Sequence, residues 1–160
     1  MLHIILSGFG YDCNNDMSSL VYIERKGGRV LLWMGHQYRK KRDRRNGSSA
    51  WRCAKYYKHK CSAYVIIKGY KVLREKPHSK SCLPDFDENI VAQHLAEFRK
   101  RARIGSTPLP RLYYECVERI KACGSETIAE KIPTFQNVKH VGYSTRKKQD
   151  QPTELMEHQT

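Results

Sequence analysis

The sequence predicts an α+β chain in which a small antiparallel β-sheet is followed by a short helical region. Three observations predict it. Between Val21 and Lys76 the apolar residues come in short β-branched and aromatic runs separated by turn and charged residues, which is the pattern of strands. After Pro84 they recur at helical spacing instead. The positive charge is confined to the first of these stretches: residues 22–80 hold 18 Lys and Arg against 3 Asp and Glu, whereas the rest of the chain holds 12 against 13.

Residues 1–20 include YDCNNDMSSL, rich in Asn, Asp and Ser, and read as a flexible leader. Residues 21–84 form the sheet unit. Its strands are VYIE, RVLLWM, HQYRKKR, SAWRCA, CSAYVII and YKVLRE, the last two joined by Lys68-Gly69, where Gly69 supplies the unusual dihedral of a short turn. In CSAYVII, Ala63, Val65 and Ile67 fall on one face and Ser62, Tyr64 and Ile66 on the other, so the simplest expectation is a sheet with one wet face. Residues 85–133 form the helical segment. Asp85 and Glu88 stand at capping-box spacing, and Val91, Leu95, Phe98 and Ala102 recur as one stripe until Gly105 ends the helix. Thr107-Pro108 opens a second helix that buries Leu109, Leu112 or Tyr113, Cys116 and Ile120 before Gly124. Ser125 to Ile132 predicts a short third helix closed by Pro133. Residues 134–160 read as a basic and disordered tail, most plainly from Arg146 onward (RKKQDQPTELMEHQT).

Only 39% of the 160 residues are hydrophobic and the mean hydropathy is -0.72, so the core is small and calls for a staple. The net charge of +14 belongs to one segment, the footprint of a module that meets a polyanion. The run RKKRDRR (39–45) alone is compatible with a solvated face. Its mixing with Tyr38, Trp51, Tyr56, Tyr57, Tyr64 and Tyr70 favours nucleic acid. A membrane-surface helix would need a continuous apolar face, which this segment lacks, and no stretch approaches the length that spans a bilayer. The start, MLHIILSGFG, lacks the charged and long apolar regions of a secretory signal, which predicts an intracellular protein with reduced thiols.

In that setting the six cysteines are metal ligands or free thiols rather than disulfides. Cys53 and Cys61 are separated by seven residues, AKYYKHK, that can return the chain from one strand to the next. Sixteen residues later come His78 and Cys82, in PHSKSC. Three thiolates and an imidazole make a tetrahedral zinc set, and the surrounding lysines and arginines favour the thiolate form. The spacing is also compatible with four unrelated residues in which Cys53 and Cys61 are small buried hydrophobes. Cys13, Cys116 and Cys123 have no partners at ligand spacing, and Cys116 and Cys123 read as core thiols.

Tyr22, RKGGR (25–29), Leu31-Leu32, Tyr38, Trp51-Arg52-Cys53, Cys61-Ser62-Ala63 and the His-containing end together resemble the FLYWCH zinc finger. The segments PDFDENIVAQHLAEFRKRAR, TPLPRLYYECVERI and IPTFQNVKH look like the helical segment that follows such fingers in Mutator-like transposases and in host proteins derived from them. The resemblance spans residues 18–148. It implies a small WRKY-like antiparallel sheet holding one Zn2+, DNA binding, transcriptional regulation and hence a nuclear location, with some members contacting proteins. One position departs from the pattern. Where the family has its second histidine this chain has Lys80, so Cys82 is the substitute ligand, with His59 a competitor that also reads as a loop residue or phosphate contact.

The chain offers no Gly-rich phosphate loop and no justified nucleophile and base pair, and its later acidic residues fall at cap and solvated-face spacings. It reads as a binding protein without catalytic residues or a small-molecule substrate. Two function classes follow. In the first, the finger binds duplex DNA, with Arg39, Lys40, Lys41, Arg42, Arg44, Arg45, Lys55, Lys58 and Lys60 chiefly on phosphates and Arg52 and loop tyrosines such as Tyr56 toward base edges. In the second, the same finger or its helices contact RNA, or a chromatin or transcription protein.

Overall fold

Each strand of the sheet pairs antiparallel with the next one in sequence, giving six strands in the order in which they occur. They are β1 (Val21–Arg25), β2 (Gly28–Trp33), β3 (His36–Asp43), β4 (Ser49–Cys53), β5 (Tyr64–Lys68) and β6 (Lys71–Lys76). The computed structural model describes residues 18–147; the expected leader up to residue 17 and the expected tail from residue 148 lie outside the described residues. Two-residue turns close three of the hairpins, pairing Arg25 with Gly28, Trp33 with His36 and Lys68 with Lys71. The last of these turns carries Gly69 at φ +60°, a conformation that suits glycine.

Alternation along the strands sorts the side chains onto two faces. Leu31, Tyr38, Trp51, Val65 and Ile67 form the core of one face, joined by the partly buried Leu20, Trp33 and Val72. Each such side chain contributes about 1.5–3 kcal/mol by leaving water, so a core of this size is thin for six strands. The end of the leader is tied to it: Leu20 packs there and Trp33 Nε1 donates to the Ser18 carbonyl at 3.2 Å.

The opposite face is not simply wet, which corrects the sequence expectation. Ile23, Val30 and Leu32 of β1 and β2 are buried on it against Ala92 of the helix that follows the sheet, with Val21 and Ala96 at the margin. Ile66 is also buried, beside a register shift in the β5–β6 pairing. The reason is in the strands themselves: Val21, Ile23, Val30 and Leu32 make an apolar patch at one end of that face, and a patch of this kind is covered in a folded chain.

The covering helix is α2 (Phe86–Ile104); the short α1 (Tyr56–His59) precedes it in the loop between β4 and β5. Asp85 is the N-cap of α2 and its Oδ1 accepts from the Glu88 backbone N–H at 2.9 Å. Only half of a capping box forms, because the Asp85 N–H donates to the Gly35 carbonyl at 2.7 Å and the Glu88 carboxylate faces Lys55. Asn89 Nδ2 adds a bond to the His36 carbonyl at 3.2 Å. Gly35 sits at φ +75° in the β2–β3 turn, and a Cβ there would lie 2.8 Å from Pro84 Cβ, so only glycine admits this junction.

The other side of α2 buries Val91, Leu95, Phe98 and Ala102 in a second core with Leu109, Leu112, Cys116 and Ile120 of α3 (Leu109–Cys123). The expected third helix is confined to a 3-10 turn, Ile128–Lys131, because Gly124 and Pro133 leave too few residues to propagate an α-helix. It still delivers the fully buried Ile128 to the core. Residues 134–147 are not disordered tail: Phe135–Lys147 forms α4, held by Val138 in the core and by the Phe135 ring against Tyr113 at 5.4 Å. Among the described residues no helix is long and apolar enough to cross a membrane.

Candidate metal centre and basic face

Four side chains from three parts of the sheet unit converge at one corner. Cys53 ends β4, opposite Tyr38 of β3. The loop after it contains α1 and turns back through Lys60, whose φ of +53° is the left-handed conformation that closes a helical turn. That places Cys61 just ahead of β5, rather than within it, and the Cys53 N–H donates to the Ala63 carbonyl at 2.9 Å. After β6 the chain crosses this corner as an irregular strap carrying His78 and Cys82, which a Cys82 N–H to Ser79 carbonyl bond of 2.9 Å folds together.

The ligand atoms of Cys53, Cys61, His78 and Cys82 all lie within 4.8 Å of one another. Cys53 Sγ and Cys82 Sγ are 3.8 Å apart, and His78 Nδ1 lies 3.3 Å from Cys61 Sγ and 3.4 Å from Cys82 Sγ. A tetrahedral zinc with ordinary bond lengths sets two sulfurs about 3.8 Å apart and a sulfur and nitrogen about 3.5 Å apart. These three edges match such a tetrahedron. The cluster is positioned to bind a metal ion, and its three sulfurs and one nitrogen suit Zn2+. With no position left for water, the set is a closed, structural one.

Protonation agrees with this chemistry. Burial, with the neighbouring thiols, pushes Cys82 up to about 12, and burial also raises Cys53. Burial, with the His36 and Lys55 charges, lowers His78 to about 4, so its imidazole is neutral and able to ligate. Cys61 goes the other way: burial raises it, but hydrogen bonds from the backbone at Ser79 and Ala63 lower it on balance, so Cys53 and Cys82 are the thiols whose protons a bound metal would have to displace. The Lys55 N–H points at Cys53 Sγ at 3.4 Å, a further stabilisation of thiolate.

A contact that sequence reasoning did not reach orients the imidazole. Tyr38 Oη lies 2.7 Å from His78 Nε2. With Nδ1 facing the sulfurs, Nε2–H donates to the tyrosine oxygen, which fixes the tautomer that ligation requires. His36 stacks on the other side of the ring, 3.4 Å between centroids and 9° from parallel. The β3–β4 pairing sets up the tyrosine contact, since Tyr38 and Cys53 face each other across the two strands. Lys80 and His59 stand outside the cluster.

The basic residues divide. A row across the sheet pairs Val30 with Arg39, Arg39 with Arg52, Arg52 with Tyr64 and Tyr64 with Lys76, all on the face that α2 covers at its other end. Lys40 pairs with Trp51 and Arg42 with Ala50, so Lys41 is the extra residue of a bulge, a feature that re-aims side chains. Lys41, Arg42, Arg44, Arg52, Tyr56 and Tyr64 consequently line one cleft of about 210 Å³. Arg52 is held in it by Tyr56 and Tyr57, whose ring centroids lie 5.2 and 5.0 Å from its guanidinium carbon, and by a 3.1 Å bond to Tyr57 Oη. Arg39, Lys55 and Lys58 line a second cleft of about 240 Å³ beside the zinc ligand Cys53. Lys40, which pairs with Asp43 at 2.7 Å, and Arg45 and Lys60 line neither. His59, read from the sequence as a competing ligand, a loop residue or a phosphate contact, lines the second cleft, and Arg25 joins it without having been singled out as a contact, brought there only by the β1 to β3 pairing.

Compared with known families, residues 21–79 match the FLYWCH zinc finger domain. The match takes in the sheet, α1 and three of the four clustered ligands and ends before Cys82 and α2. No curated protein matches the chain.

Proposed function

We propose that this chain is a zinc-dependent DNA-binding protein acting in the nucleus on transcription, a recognition module of the transposase type. The observation that carries the reading is the cleft around the β3 bulge, where Lys41, Arg42, Arg44 and Arg52 meet Tyr56 and Tyr64. Three cations on the strands and Arg44 in the β3–β4 loop serve phosphate contacts, which set register on a duplex, while the flanking tyrosines and the oriented Arg52 supply groups able to meet bases or sugars. Zinc contributes by fixing the β4 end and the following loop from which Arg52 and Tyr56 project. The resemblance of residues 84–140 to the helices behind transposase fingers supports the proposed origin.

Affinity for duplex DNA as a function of salt tests the reading. The logarithm of affinity should fall against the logarithm of salt with a slope of about 0.9 per phosphate neutralised. Lys41→Ala with Arg42→Ala should make the slope shallower and weaken all sequences alike. An unchanged slope moves the interface elsewhere. Preference for single strands or RNA over duplex, in the same titration, transfers the function to the RNA-binding alternative, and no binding to any of them leaves a protein-interaction module.

A further inference from the structure

We infer that the second cleft, at the junction of the sheet, α1 and α2, is a phosphate-binding site in which Arg25 is a contact and Glu88 is a resident competitor. It rests on the nucleic-acid reading for the source of the phosphate, which is a backbone phosphodiester. Arg25, Arg39, Lys55, Lys58 and His59 line the cleft, and Glu88 is its one carboxylate among the described residues. Cations contributed by β1, β3 and the β4–β5 loop thus converge from three directions onto about 240 Å³, room for a phosphate group with its water. Arg99 of α2 lies near enough to Arg25 to be depressed by its charge, after the larger effect of burial, so the repulsion at this junction extends beyond the lining itself.

Two details point to an anion rather than to a filled salt-bridge network. Gln37 also lines the cleft, and its buried Nε2 has no hydrogen-bond partner, leaving a donor unsatisfied. Glu88 reaches Lys55 only at 3.8 Å, with both side chains substantially exposed, a weak pair that a doubly shared phosphate oxygen can displace. The site also differs in kind from the bulge cleft. Its wall includes the first turn of α2, so a phosphate bound here would be held by the finger and the helical segment together.

The test uses the full-length zinc-loaded protein and two probes. Dimethyl phosphate, a phosphodiester without base or sugar, is titrated at constant ionic strength while the Gln37 side-chain amide and Lys55 resonances are followed by NMR; both should shift together and saturate, and Arg25→Ala should weaken the effect. Duplex DNA without terminal phosphates is titrated in parallel. Arg25→Ala should lower the salt slope by about 0.9, the value for one phosphate. Glu88→Gln should tighten duplex binding by about two- to fivefold at low salt, the scale of one exposed pair. It keeps the cap, because Asp85 accepts from the Glu88 backbone. Duplex binding that ignores both substitutions overturns the proposal while the DNA reading stands. A wild type that binds no duplex but shows the saturable Gln37 and Lys55 shifts keeps the phosphate site and removes its nucleic-acid source. Shifts spread evenly over surface lysines overturn the site itself.

Discussion

The helical half and the sheet half solve the same problem with different materials. Around α2, α3 and α4 the core is ordinary: Leu95, Phe98, Leu109, Leu112, Ile120 and Ile128 close it from four directions with no polar group required. The sheet half splits its large apolar residues between two faces, with Leu31, Tyr38, Trp51, Val65 and Ile67 on one and Ile23, Val30 and Leu32 against α2 on the other, and its far corner is filled by Cys53, Cys61, Ala63 and Cys82. It also carries an excess of 15 positive charges over residues 22–80, which repel one another in the compact state. The difference teaches that a surface crowded with charge of one sign leaves little for a core, and that a metal can stand in for one.

Removing the metal is the strongest way to break this comparison. Structural zinc supplies about 10–16 kcal/mol of apparent folding free energy at neutral pH, more than the whole stability of most domains. A chelator should therefore abolish the strand signal in circular dichroism while much of the helical signal persists, since the helical core contains none of the four ligands. Persistence of the strands without metal would show that the sheet core suffices.

The reciprocal experiment is Ile120→Ala. Ile120 is fully buried, and its truncation should cost about 2–5 kcal/mol. The helices should melt earlier while a cobalt-substituted finger keeps its tetrahedral absorption. If that absorption is lost in the same transition, the two halves are one cooperative unit.

A smaller effect sharpens the account of the metal site. Tyr38→Phe removes the oxygen that holds His78 Nε2 and should lower zinc affinity about 10- to 100-fold, or roughly 1.4–2.7 kcal/mol. Nitrogen NMR of His78 should then show the tautomers mixing in the metal-free protein. Unchanged affinity would make the 2.7 Å contact a packing detail.

The smallest effect lies in the contacts that brace α2. Burial alone would raise the Asp85 carboxyl, but the hydrogen bonds from Lys131 and from the Glu88 N–H outweigh it and hold its pKa below the ordinary value. A lowered folded pKa means stability that is fully present above the unfolded value of about 3.8 and is lost as pH falls through the folded one. Asp85→Asn should thus lower the melting temperature of the helical signal near neutral pH, and the gap to the parent should close in acid below that value. Comparing the two proteins at each pH cancels the zinc loss they share.

Most of the strand pattern was legible because alternation and turn residues are local: Lys68-Gly69 marked its hairpin, and Asp85, Gly105 and Gly124 bounded their helices. The four clustered ligands were legible from spacing because the intervening segments, seven and sixteen residues, are the lengths of a return loop and a hairpin. What escaped depends on distant partners. The face of β1 and β2 looks wet until α2 is laid on it through Ala92, and α4 looks like tail until Val138 finds the helical core. The bulge at Lys41 has no local mark at all, since an inserted residue in a run of cations leaves the composition unchanged. Tyr38 was seen as an aromatic in a basic stretch, and its bond to a residue 40 positions away belongs to the fold.

The sequential order of the six strands has a consequence for how the chain assembles in time. Every pairing is between neighbours in sequence, so each hairpin forms after a short search and little loop-closure entropy is lost before contacts are made, the circumstance in which folding is fast. The ligands from Cys53 to Cys82 span a single stretch that leaves the ribosome before any of α2, whose N-cap follows three residues later. Capture of the ion then follows a rapid local meander, so maturation of the finger during synthesis should depend more on the supply of free zinc than on the search of the chain.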